Sequence, residues 1–505
     1  MEQTIFDMMY PKFKIDKPIK LIEMFGGYGS QFLSLKYINA DVEHHKLIEW
    51  AAKSIQAYND IHIQDYTDYS KDLTNDEVLD KLFSLGVSLN YNEPATREQL
   101  KRQNYRKIYN NIIATNNLVN IQQVKGKDLE ITDKDKYIYV CSYSFPCQDL
   151  SNAGKKAGFN DTSTRSGMLW EVERILDECN KLGQLPQVLL MENVIQIHSP
   201  GDNVKNFFKW QSKLESLGYK NYMQDLIATD YGIPQTRNRT FMVSILGDYS
   251  YTFPKPIPLK LKLKDMLEDN VDEKYYLSDK QIKDIQSWNA YEKPLENMEK
   301  TDKNNISPTL TTRSGAYAAG MILVKNATKQ GYLKATDGDG IDISSRMEYH
   351  RGNVQKDKIQ TITTSGGNDR GVVVNMKTQL CNNLIQQGKV KENDVIRHSY
   401  TTSRMNGEMK DLKQNNISPT LDTRCDCLGV VNNMRIRKLT PRECFRLMGV
   451  KDGDFEKCAK NQSDSSLYHL AGDSICTSCL MAIFGKLLDI NWEEKLNKLL
   501  ESKGE

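Results

Sequence analysis

In the first half of the chain, apolar residues gather in short continuous runs, each closed by a turn and followed by residues with helical spacing. IKLIEMF (19–25) is apolar and β-prone, GGYGS interrupts it, and QFLSLKYI then sets apolar positions at helical intervals. KLIEW (46–50) precedes the helical AAKSIQAYN, and YIYVCSY (137–143) is a third run, β-branched and aromatic. QVLLMENV (187–194) is a fourth, reached through the amphipathic GMLWEVERILDECNKL. Strands apolar on both faces that alternate with helices predict a parallel sheet covered on both sides. Between about residues 65 and 130 this pattern gives way to Asn- and Lys-rich sequence with helical patches, read as an insertion into the sheet domain to which the sequence assigns no chemical role.

The character changes after FPKPIP (253–258), where Thr, Ser, Gly and Asn alternate with short β-prone runs. Three similar segments start at Asn304, Lys358 and Asn415, each a threonine-bracketed apolar pair, a polar turn, then an apolar strand ending in valine. Their irregular spacing predicts one domain of related hairpins rather than a solenoid. From Arg435 helical patterning returns, and Thr440-Pro441-Arg442-Glu443 reads as a capping box with proline at the first helical position.

Composition narrows the classes. A chain of 505 residues exceeds the usual single domain, so two domains, or one with an insertion, are expected. Lys plus Arg number 68 against 66 Asp plus Glu, which excludes a polybasic coat and leaves any phosphate binding to a local basic face. With no run of about eighteen apolar residues and no leader-like N-terminus, the expectation is a soluble, intracellular (cytoplasmic) protein with no membrane partner. Ten scattered cysteines read as reduced thiols. The close pairs Cys425/Cys427 and Cys476/Cys479 lack further ligands at zinc spacing, so buried structural thiols and no metal are expected.

Two stretches carry chemistry. In FGGYGS the glycines let backbone approach a ligand and present helix N-terminal amides to it, and Glu49, about 20 residues on at the end of the next strand, is placed as a ribose-binding acid is. Trp50 beside it offers a face to an adenine. A tight turn and an ordinary surface acid explain the same residues. In SYSFPCQDLS, Cys147 falls at the carboxyl edge of the sheet, where a thiolate is a strong nucleophile, although an inert buried cysteine fits that stretch alone.

The order of motifs goes further: the sequence resembles the cytosine-5 DNA methyltransferase family. FGGYG looks like its cofactor motif, SFPCQDLSNAGKKAGF is similar to its Pro-Cys-Gln motif, MENV to its Glu-Asn-Val motif, and YGIPQTRNRTFMVSI to its Gln-x-Arg-x-Arg motif. RKLTPRECFRLMGV and the Gly-x-Ser helix beginning at Gly472 match the last two. The resemblance implies an α/β, Rossmann-like S-adenosylmethionine-dependent methyltransferase sheet domain (residues 1–260 and 435–505). A smaller, mostly β target-recognition domain (261–434) accompanies it.

It also implies roles. Cys147 is the nucleophile that adds to cytosine C6, Glu192 the acid at N3, Arg239 the arginine near the cytosine carbonyl, and Arg237 a neighbour contacting phosphate or the closed loop. Arg237 and Arg239, alternating in RNR, are expected to project to one strand face. S-Adenosylmethionine is expected against Phe25, Gly27, Gly29, Glu49, Trp50, Leu169 and Ser474, the last in the final helix. Asp473 stands where the family usually has Asn, and the nearest candidate for its adenine-reading acid is Asn120. Double-stranded DNA is the expected partner, met by Gln148 and Ser151 in the loop after Cys147, with Arg313, Arg370 and Arg424 either reaching guanine edges or serving as solvated turn residues. A monomer suffices, and a separate restriction endonuclease or an orphan or phage setting is the expected context. A tRNA methyltransferase of the same fold and a silent DNA-binding regulator are the alternatives.

Overall fold

The four apolar runs form strands β1 (Ile19–Met24), β2 (Val42–Ile48), β3 (Ile138–Tyr143) and β4 (Val188–Asn193), and β3 and β4 are buried along their whole length. A computed structural model of the chain describes residues 10–146, 166–276, 322–326, 332–335, 338–342, 353–362, 370–375, 395–397, 413–414, 428–429 and 434–501. Strand β1 pairs in parallel with β2 on one side and β3 on the other, and β3 pairs in parallel with β4. The sheet departs from the all-parallel expectation beyond β4. There β5 (Tyr219–Ile227) and β6 (Asn238–Leu246) add antiparallel strands, giving the order β2-β1-β3-β4-β6-β5. The link between β5 and β6 is too short for a crossover, so the two must run antiparallel. Strand order reverses between β1 and β3, which opens a crevice at their carboxyl ends.

Helices cover the sheet because the strands are apolar on both faces. Met24, Tyr143, Leu189 and Trp210 share one buried cluster with the first residues of α6 (Leu169–Lys181), and the Trp210 indole donates to the Tyr143 hydroxyl at 3.1 Å. Helix α1 (Ser30–Tyr37) packs on α11 (Thr477–Leu488). The apolar stretch Asp464–Leu488 is mostly buried inside the protein, as a core helix pair, α10 (Asp464–Asp473) and α11.

The insertion builds a small core of its own. Helices α3 (Asn75–Leu85), α4 (Arg97–Lys101) and α5 (Tyr105–Ala114) bring Val78, Leu79, Leu82, Leu100 and Ile112 against Ala52 and Ile55 of α2 (Ala52–Tyr58). Capping boxes at Thr74/Glu77 and Thr96/Gln99 start α3 and α4, so polar sequence here marks helix ends rather than disorder.

The chain divides into two compact units, Met1–Leu261 with Cys444–Glu505, and Lys262–Glu443. In the second unit β9 (Gly340–Asp342), β10 (Val354–Gln355), β11 (Arg370–Asn375) and β15 (Met434–Lys438) form a sheet in the order β10-β9-β11-β15. The strands closing the first and third repeats are β7 (Ile322–Lys325) and β14 (Leu428–Gly429). Arg435 lies in a strand, so helix does not resume there. It resumes at Pro441, where Glu443 accepts from the Thr440 amide and donates its own amide to the Thr440 hydroxyl. Glu443 is buried and paired with Arg437 at 2.6 Å, which fixes the cap.

Candidate active site

The crevice at the ends of β1 and β3 is lined first by the turn Phe25–Gly29. Phe25, Gly27 and Gly29 have φ of 58°, 56° and 82°, all left-handed, a conformation costing a residue with a side chain about 1–2 kcal/mol. A Cβ at Gly29 would meet His62 and Tyr58 at 2.6 Å, whereas at Gly27 it would point into open space. The turn is therefore closed on its protein side and open on its ligand side.

Glu49 follows β2 and is buried against this turn. Its carboxylate accepts from the Gly27 amide at 3.0 Å and the Ala51 amide at 2.8 Å. Burial pushes its acid up to about 7, the Asp473 charge adds to the rise, and the two amide bonds oppose it. Asn117, which sequence reasoning missed, donates to the Glu49 carbonyl and accepts from its amide, while Asn120 instead accepts from the Gln122 amide. Trp50 is half-buried, with part of its surface packed on the insertion core. A left-handed glycine with open space, a buried carboxylate and a half-buried indole form a set that fits S-adenosylmethionine.

Across the crevice, Glu192 near the end of β4 is also buried. The Ser144 hydroxyl donates to its Oε2 at 2.7 Å, and Arg239 Nε stands 3.2 Å from Oε1. Oε1 is buried and accepts no hydrogen bond among the described residues. Asn193 donates to the Phe145 carbonyl at 3.0 Å, fixing the chain two residues before Cys147. Ser144 was missed because its partner lies 48 residues away and no spacing announces it. Cys147, Gln148, Ser151, Arg313 and Arg424 lie outside the described residues, as do Cys425 and Cys427.

Three expectations change. Arg237 precedes β6, and its guanidinium donates to the Gly472 and Ser474 carbonyls at 3.2 and 2.7 Å, so it takes different partners from Arg239. Ser474 caps α10 and precedes α11 rather than lying in the final helix; its hydroxyl donates to the Leu470 carbonyl. Extended backbone at Ser474 breaks the helix there. Arg370 donates to the Thr361 carbonyl at 3.0 Å and stands 3.6 Å from Asp342, which makes it a brace of the second unit. Leu169 is fully buried in the core cluster against which Phe25 packs. Asp473 stands 3.1 Å from His469, whose ring lies 3.8 Å from that of Tyr91 in the insertion.

The family model described as C-5 cytosine-specific DNA methylase matches residues 83–489. The chain belongs to that family. It is similar to the type II methyltransferase M2.ScrFI of Lactococcus lactis subsp. cremoris, 29% identical over 474 residues, covering 93% of this chain and 99% of the relative. It is also similar to the orphan methyltransferase M.SssI of Spiroplasma monobiae, 35% identical over 273 residues, covering 52% of this chain and 68% of the relative. The orphan methyltransferase M.SPRI of Bacillus phage SPR is 27% identical over 380 residues, covering 68% and 81%. The protein is thus a DNA cytosine-5 methyltransferase with S-adenosylmethionine as methyl donor, on a Rossmann-like sheet.

Proposed function

We propose that Glu192 and Cys147 act on one cytosine turned out of duplex DNA. The observation that carries this reading is the Glu192 carboxylate: buried, braced by Ser144 and Arg239, and with Oε1 accepting no hydrogen bond among the described residues. A base inside the stack cannot offer C6 to a thiol, so it must leave the helix. Cys147, as thiolate, forms a bond to C6 while Glu192 shares a proton with N3, and electron density moves to C5. S-Adenosylmethionine, held by Phe25, Gly27, Gly29, Glu49 and Trp50, supplies when bound the methyl group that C5 takes up. Loss of the C5 proton to base then re-forms the C5–C6 double bond and expels the Cys147 thiolate. Arg239 orients Glu192, and its charge favours thiolate over thiol at Cys147. Arg237 holds the Gly472–Ser474 segment in place.

The second unit is read as the target-recognition domain, with Arg313 and Arg424 as base-reading candidates, Arg370 supporting the sheet, and Gln148 and Ser151 meeting the DNA. The relatives' names support a restriction-modification or orphan setting. The test is incubation with labelled S-adenosylmethionine and duplex DNA or tRNA, followed by nucleoside analysis. Labelled 5-methyl-2′-deoxycytidine is expected from the wild type and none from Cys147→Ala. Turnover retained in Cys147→Ala removes the nucleophile, and label found only in tRNA removes the substrate.

A further inference from the structure

Glu23 lies four residues before Gly27 and points into the protein, fully buried. Its Oε1 accepts from the Phe32 amide in the first turn of α1 at 3.3 Å, and its Oε2 lies 2.6 Å from the Tyr58 hydroxyl. The same hydroxyl lies 2.8 Å from His44 Nδ1, and His44 Nε2 lies 2.7 Å from the Thr115 carbonyl oxygen.

Hydrogens can be counted from the far end of this chain. A carbonyl oxygen only accepts, so His44 Nε2 carries a hydrogen. On a neutral ring Nδ1 then accepts, and Tyr58 is the donor beside it. With its one hydrogen directed at His44, Tyr58 can only accept from Glu23, which must therefore be the carboxylic acid. Were Glu23 a carboxylate taking the Tyr58 hydrogen, His44 Nδ1 would face oxygen lone pairs unless the ring gained a second proton. Burial opposes that arrangement at both ends: it pushes Glu23 up to about 7 and His44 down to about 4. The charged and titratable groups facing the chain are Lys36 from α1, His45 and Lys46 from β2, and His62 beyond α2, which Lys457 of α9 (Asp452–Ala459) faces in turn.

Glu23, Tyr58 and the neighbouring His62 lie against the turn itself. A Cβ at Gly29 would strike Tyr58 and His62, one at Gly26 would come within 3.1 Å of the Glu23 Cβ, and His62 holds the Tyr28 carbonyl at 2.8 Å. We infer that Glu23, Tyr58 and His44 form an uncharged acid–phenol–imidazole chain, the acid donating to the phenol and the phenol to the imidazole, and that this chain positions the glycine turn for S-adenosylmethionine. The inference rests on the reading of that turn as the cofactor site. All three are positioning residues, since none is placed against the ligand.

The test uses the full chain with Glu23→Gln, Glu23→Ala and Tyr58→Phe, reading thermal midpoint without cofactor and cofactor affinity by titration. A glutamine amide donates to Tyr58 as the acid does, and its carbonyl accepts from Phe32. Glu23 is raised when folded, so its stabilising contribution is present below its ordinary value and lost as pH climbs to about 7. Glutamine has no such loss, so the midpoint of Glu23→Gln is expected to rise relative to the wild type between about pH 5 and pH 8, with cofactor affinity within about threefold. Tyr58→Phe leaves both neighbours unsatisfied and is expected to raise the KM for S-adenosylmethionine about tenfold with kcat within about twofold. A Glu23→Gln midpoint that falls relative to the wild type as pH rises, matching Glu23→Ala, overturns the proton count. Unchanged affinity in both Tyr58→Phe and Glu23→Ala overturns the positioning role. Failure of the wild type itself to bind cofactor, with the midpoint trend intact, supports the proton count and removes instead the reading of the turn.

Discussion

Glu49 and Glu192 both sit at strand ends of one sheet, and their neighbours give them different surroundings. Glu49 is met by two main-chain amides and lies in the field of another acid, Asp473. Amides fix its orientation without neutralising it, which suits a carboxylate that accepts hydroxyl hydrogens from a bound sugar. Glu192 is met by a hydroxyl and an arginine, and one of its oxygens is buried without a hydrogen bond among the described residues. That suits a carboxyl group that exchanges a hydrogen with a ring nitrogen. Residue type alone does not separate these surroundings: main-chain amides of a turn and of the next residues meet Glu49, and side chains after β3 and on β6 meet Glu192.

The comparison can be broken by substitution. Glu192→Gln keeps the shape and the Ser144 contact but cannot share a proton with N3, so turnover should fall about 10²- to 10⁴-fold with cofactor affinity unchanged, read by single-turnover kinetics and titration. Glu49→Gln should do the reverse, weakening S-adenosylmethionine about 10- to 100-fold while kcat at saturation holds, as expected for the loss of hydrogen bonds to a charged acceptor. Equal losses in both parameters for both variants would erase the distinction. Arg237→Leu should lower stability by about 1–3 kcal/mol, because two buried carbonyls lose their donor; denaturant unfolding measures it.

The pH dependence sharpens the contrast further. Glu49 has its folded value raised to about 7, so its stability contribution is present below 4.5 and lost as pH rises to about 7, while the ionised form accepts better from the ligand. Cofactor affinity should therefore rise severalfold between about pH 6 and pH 8, and Glu49→Gln should flatten that rise. A wild-type profile already flat over the range would place the acid elsewhere.

Much of this was legible in the chain itself. Continuous apolar runs marked β1 to β4, and Thr440 with Glu443 marked a helix start that the structure shows as a reciprocal cap. The antiparallel edge was not marked, because β5 carries Lys, Asn, Gln and Asp among its apolar residues and does not read as an apolar run, and only the short link to β6 sets the direction of the pair. Glu49 could be placed by its distance from the glycines, yet Asn117 could not, since it meets Glu49 through an insertion 68 residues on. Arg237 and Arg239 look equivalent two positions apart. Their partners, Ser474 and Glu192, come from different segments of the chain and divide them.

The most direct test of a cysteine attacking an extruded cytosine is capture on duplex DNA carrying 5-fluorocytosine at a modified site, with S-adenosylmethionine present and the adduct mapped by peptide mass spectrometry. Fluorine cannot leave C5 as a proton does, so the wild type should remain bonded through Cys147, and Cys147→Ala should form no adduct. Methylation of normal sites without any adduct at Cys147 would contradict the account.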